Sequence, residues 1–273
     1  MIATIKAEWR KSRFRPAFLV SSGVIAAITV MAWGISWYQA LNPVAGDRGP
    51  VNIATLYPDQ FVNFVMGAAF PLGAAIAIVV GALYAGSEYS WGTLKTMLTQ
   101  QPGRVTVWTG RLAVFALWMG IMTVVLFVFG AANSVVVATF QNHAISWPAP
   151  VDIAKGMASI WLIFFVNGTI GIALGVLIKN SAAALGAGLI YVLAVEIIAV
   201  RFIDSINSGA YKWIGNLFVN QNATALAQSF HAPAFGRVLP ATIGSEQAVL
   251  VLIAYAVGLA IIAAGFLRLR DVT

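Results

Sequence analysis

Six long apolar runs decide what this chain can become. The first, residues 17–38 (AFLVSSGVIAAITVMAWGISWY), carries no charge. As a helix it would reach roughly 33 Å, enough for a hydrocarbon core about 30 Å thick. Further runs follow at 62–86, 112–138, 156–178, 181–203 and 247–267. Each exceeds the ~18 residues at which an apolar stretch reads as a membrane span. Only the fifth holds charged residues, Glu196 and Arg201.

Composition agrees. Hydrophobic residues make up 60% of the chain and charged residues 9%, whereas a soluble protein needs charge over most of its surface and lipid needs none. The expected fold is an all-α integral membrane protein with six transmembrane helices in one domain, residues 1–273, with no soluble domain left over. The first run is too long for a cleaved signal peptide and lacks a convincing small-residue cleavage site. There is no Cys and there are two His, which removes disulfides and thiolate ligands and argues against a metal site. The net charge of +7 does not point to nucleic acid, because in a membrane protein the distribution of charge outweighs its total.

That distribution is lopsided. If the N-terminus is cytoplasmic, that side holds Lys6, Arg10, Lys11, Arg13, Arg15, Lys95, Arg104, Arg111, Lys179, Arg268 and Arg270. The other side holds Arg48, Lys155, Arg201, Lys212 and Arg237, nearly cancelled by Asp47, Asp59, Asp152, Asp204 and Glu246. The positive-inside rule places both termini and the 88–111 loop in the cytoplasm of a multi-pass protein of the cell membrane. Residues 1–16 add an interfacial helix. Ile2, Ile5 and Trp9 fall near helical spacing among basic residues, a pattern suited to the headgroup layer or to a plain positive-inside anchor. Pro16 opens the first span, where a missing N–H does least harm.

Small residues recur at packing distance. Gly73, Ala77 and Gly81 lie four apart in the second run, Gly171 and Gly175 in the fourth, and the fifth opens Ser181-Ala-Ala-Ala184. Such stripes let helix backbones approach closely, within one subunit or between two.

Between the second and third runs lies a polar island, EYSWGTLKTMLTQQPGRVTVWTGR, residues 88–111. It is far longer than a simple connector needs. Trp91, Leu94 and Leu98 form one apolar helical stripe, and Gln101-Pro102-Gly103 ends it as a turn. Glu88 sits where the second span leaves the membrane, so its carboxylate has to be solvated or paired, with Lys95, Arg104 or Arg111 as candidates. Gly92 removes bulk beside it.

Glu88, Gly92-Thr93-Leu94, Pro102, Arg104 and Arg111 resemble the E-xxx-GT…P-x-R…K/R pattern after the second span of type-2 ABC exporter permeases (the ABC-2 type). The six-span layout, the basic N-terminal helix and the long loop before the last span resemble that family as well. The resemblance implies that the island forms a cytoplasmic coupling helix seated on an ATPase subunit, with Glu88, Trp91, Gly92, Thr93, Leu94, Lys95, Pro102, Arg104 and Arg111 at the joint. It implies ABC ATPase subunits and a second permease copy, in a homodimer or heterodimer, as partners. It also implies export of a hydrophobic or amphipathic compound, such as a drug, antibiotic or lipid-like molecule. No G-xxxx-GK[ST] P-loop occurs in the chain, so no cofactor is expected on it, and ATP and Mg would be bound by the partner ATPase.

Residues 204–246 are long for a structureless loop and contain Tyr211, Trp213, Phe218, Phe230 and Phe235, aromatics suited to the outer headgroup layer. The resemblance implies short outer helices there, before the sixth span. Glu196 is the one carboxylate well inside a span. A charge near the bilayer centre costs on the order of 3 kcal/mol, so it has to face protein or water. Glu196 is a candidate for a substrate pathway, with Asn133 and Asn167, although in-span Asn also serves as helix–helix glue. A proton-coupled secondary transporter using Glu196 is the alternative, weakened by the lack of a visible inverted repeat. An intramembrane hydrolase is weaker still, since His143 and His231 map to outer loops and no G-x-S-x-G elbow occurs.

Overall fold

A computed structural model describes residues 2–43, 51–69, 72–90, 103–206, 211–230 and 243–269. The described residues contain helices and connecting turns but no strand. Five helices are long and apolar enough to cross a membrane. A sixth crossing is formed if the pair either side of residue 70, bent by 57°, counts as one. The protein is an all-α integral membrane protein.

The first span is Pro16–Leu41. The second is the bent pair, Phe61–Ala69 followed by Leu72–Ser90. Pro71 lies in the sequence between them, and a proline ring cannot continue a helix. The apolar run at 62–86 therefore covers two helices rather than the single one expected. The third span, Arg104–Phe140, is one helix of 37 residues, roughly 55 Å long and well beyond a hydrocarbon core. It starts eight residues before the apolar run does, so Arg104 to Arg111 are the first turns of a helix. Pro150–Ile178 is the fourth span. Lys179, left-handed at φ 57°, reverses the chain, and the Asn180 side chain caps the fifth span by accepting the amides of Ala182 and Ala183 at 3.0 and 3.1 Å. The fifth span runs as Ser181–Ile190, a π turn Tyr191–Val195, then Glu196–Ser205. A helix Val219–Gln228 precedes the sixth span, Ser245–Leu269.

The fourth span is the axis of the bundle, with every residue from Val166 to Ala173 buried. It packs chiefly on the second span, and small residues set the distance. A methyl group at Gly81 would overlap the Gly168 carbonyl, one at Gly171 the Ile78 carbonyl, and one at Gly175 would crowd Ala85 and Gly86. Two backbones in near contact gain dispersion that bulkier residues would block. The fifth span closes on the same face, Ser181 against Gly86 and Gly188 against Ile78. These stripes are used inside the subunit.

The N-terminal helix, Ile2–Ser12, lies along the start of the third span. Trp118 is sandwiched between Trp9 and Phe18, ring centroids 5.2 and 4.7 Å away, and its indole N–H donates to Ser12 Oγ at 2.9 Å. The apolar side carrying Ile5 and Trp9 thus packs against protein. Lys6, Arg10 and Arg13 stay exposed on the outward side. The early start of the third helix supplies the wall that the sequence pattern did not reveal.

Candidate functional site

At the end of the molecule where the N-terminal helix packs, the last turns of the second span present Tyr84, Ser87 and Glu88. Tyr84 and Glu88 are four residues apart and share a face. Glu88 is fully buried, and lipid or packed protein cannot solvate a lone carboxylate, so counter-charges have to come from the chain. Three do. Lys11 and Arg15 reach it from the N-terminal segment, Arg15 Nη2 lying 3.0 Å from Oε1, and Arg111 approaches Oε2 from the third span.

Both arginines are used twice. Arg15 Nη1 donates to the Tyr84 carbonyl at 3.1 Å and lies 3.4 Å from Ser87 Oγ. Arg111 Nη2 donates to the same carbonyl at 3.3 Å. The two guanidinium carbons sit 5.4 and 5.1 Å from the centroid of the Tyr84 ring, within cation–π range. The Tyr84 hydroxyl reaches Glu8 Oε2 at 3.3 Å, and Glu8 is itself buried. One network therefore joins the N-terminal helix, the end of the second span and the start of the third. It stands at the root of the island, between the helix that enters it and the helix that leaves it.

Of the residues expected at the joint, Glu88 and Arg111 come together. Arg104 opens the third helix, with its side chain outside the described residues, where Trp91, Gly92, Thr93, Leu94, Lys95 and Pro102 also lie. Sequence reasoning looked for partners of Glu88 nearby in the chain and found Arg111, but missed Lys11, Arg15, Glu8 and Tyr84. Glu8 was the available signal, as the one acidic residue among the cations that precede the first span.

The three pathway candidates have separate hydrogen-bond partners. Asn133 Nδ2 donates to the Phe129 carbonyl at 2.7 Å and Asn167 Nδ2 to the Ile163 carbonyl at 2.9 Å, each within its own helix. Asn167 is buried in the fourth span. Glu196 is also buried, at 1% exposure. Its Oε1 accepts the backbone N–H of Asn220, and the Asn220 side chain returns a bond to the Val192 carbonyl at 3.0 Å. The Asn222-Ala-Thr224 sequon is buried at its Asn, whose Nδ2 donates to the Asn216 and Phe218 carbonyls at 2.8 and 2.7 Å. Among the described residues, no group of acidic or His side chains could hold a metal ion.

The profile of the ABC-2 family of transporter proteins matches residues 4–195. That range includes every member of the Glu88 network. Among curated proteins, none matches the sequence. The match covers well over half of the chain, and with the apolar helices described above it means that this protein belongs to the ABC-2 family, as a membrane permease of an ABC transporter.

Proposed function

We propose that the chain is the non-catalytic permease subunit of an ATP-driven exporter. In this reading the end bearing the Glu88 network faces the cytoplasm, residues 88–111 dock on a separate ATPase that binds ATP and Mg, and a second permease copy completes the pathway. The cargo is a hydrophobic or amphipathic compound such as a drug, antibiotic or lipid-like molecule, moved outward across the cell membrane. The single domain, residues 1–273, acts as one mechanical unit.

The observation that carries this reading is the buried Glu88 network. A force applied to the island by a moving ATPase arrives at Ser90 on one side and Gly103 on the other. Glu88 and Arg111 tie those two helices to each other, and Arg15 and Lys11 tie both to the N-terminal helix and the first span. Buried charge pairs resist separation because each leaves an uncompensated ion behind. A displacement of the island would then move three helices together instead of bending one.

Co-purification with a candidate ATPase tests it. Substitutions at Glu88, Gly92 or Arg104 are expected to abolish association or stimulated ATP hydrolysis, whereas Gly23→Ala on the open face of the first span leaves both unchanged. Failure of the wild-type chain to recruit any ATPase would overturn the proposal.

A further inference from the structure

Glu196 is costly to place in a membrane span, and the coupling role proposed above does not use it. Its surroundings account for it differently. The π turn Tyr191–Val195 ends at Glu196, and an inserted residue of this kind shifts the following turn and loosens its hydrogen bonds. The Val192 carbonyl, inside that turn, accepts the Asn220 side chain. The carboxylate then meets the first turn of the Val219–Gln228 helix, where Oε1 accepts the Asn220 amide and the Gln221 amide also faces it.

That helix needs a cap from elsewhere. Phe218 stands at its N-cap position, in extended conformation, with no side-chain oxygen to offer. The first amides of a helix have no partner within it, and they carry the positive end of its dipole. A carboxylate is the best acceptor for them. Two half-buried tyrosines also face Glu196: Tyr191 in the π turn, which hydrogen-bonds the carboxylate, and Tyr255 on the sixth span, neither of them a cation.

We propose that Glu196 is a positioning residue, a helix cap supplied in trans that fastens the Val219–Gln228 helix to the fifth span. The helix is otherwise held by Val219, Ala223, Leu226 and Ala227, buried against the bundle. Its hydrophobic contacts set its face and Glu196 sets its near end. This assigns the carboxylate to the fold's far end rather than to a cargo contact or a proton pathway.

Amide hydrogen exchange on the full chain in lipid nanodiscs tests it. Glu196→Ala is expected to speed exchange of the Asn220 and Gln221 amides about tenfold, the scale of losing one N-cap, with the fourth span unaffected. Glu196→Gln keeps an acceptor oxygen and falls between. The decisive variant combines Glu196→Ala with Phe218→Ser, which provides a local cap. The Phe218 carbonyl that accepts from Asn222 remains, and protection of the first turn returns. If Glu196→Ala does not fold, Glu196→Gln with and without Phe218→Ser gives the same comparison. Unchanged exchange in the Glu196 variants, or loss of transport with the first turn still protected, overturns the proposal. So does failure of Phe218→Ser to restore protection.

Discussion

Glu88 and Glu196 are both buried in this protein, and they are neutralised in different ways. Glu88 is surrounded by three cations from two other segments and shares them with a tyrosine ring and carbonyl. Glu196 has no ion-pair partner among the described residues and rests on the amides of a helix start. The contrast follows from what each end has to hold. Full charges attract over longer range and pin several helices at once, whereas a helix terminus offers about half a charge and falls off within a turn. The first arrangement suits a joint that transmits force, and the second suits a single helix held in place.

The largest expected effect comes from removing the charge of Glu88. Glu88→Gln would take from Arg111 and Arg15, both nearly fully buried, the carboxylate that pairs with both. Breaking a buried pair from one side costs about 3–5 kcal/mol, which thermal unfolding of the full chain in nanodiscs would read as a strongly lowered midpoint. The same assay on Glu196→Gln should show about 1 kcal/mol or less, the scale of a weakened cap. Equal losses at the two sites would mean that the carboxylates are not held differently after all.

The seam that links the two ends comes next. Gly81→Ala places a methyl group on the Gly168 carbonyl, and backbone cannot step aside as a flexible side chain can. Overpacking of this kind costs about 1–3 kcal/mol. Gly23→Ala, with nothing within 4 Å of the added carbon, should be neutral or slightly stabilising, because alanine is the better helix former. If Gly81→Ala were as benign as Gly23→Ala, the second and fourth spans would not be a rigid link, and the two ends could move independently. Unfolding midpoints of the two variants decide it.

The sequence showed the spans well, since a run of twenty uncharged residues has one dominant physical meaning. It showed less of where helices begin, break or bulge. Hydropathy marks the lipid and not the backbone, so the third helix could start at Arg104 while its apolar run starts at 112. The residues YVLAV of the π turn look like any helical stretch. Partners of the carboxylates were harder again. Lys11 and Arg15 lie 77 and 73 positions from Glu88, and local spacing arguments do not reach that far. The partners of Glu196 on the next helix are backbone amides, which leave no mark on composition. The residues 91–102, which carry most of the motif-like detail, lie outside those described, so their part in the joint rests on the sequence pattern.

The smallest effect separates the members of the Glu88 network from one another. The Lys11 side chain is 31% exposed and the Arg15 side chain 9%. Water reaches the ammonium, so much of its attraction to Glu88 is screened, and added salt weakens it further. Lys11→Gln is therefore expected to cost less than about 1 kcal/mol and to cost less still at high ionic strength. Arg15→Gln, which also strips donors from the Tyr84 carbonyl and Ser87, should cost more and respond little to salt. Double-mutant cycles of each with Glu88→Gln, measured at two salt concentrations, give the two coupling energies directly. A Lys11 coupling as large and as salt-insensitive as that of Arg15 would move the N-terminal helix from the rim of the joint to its centre.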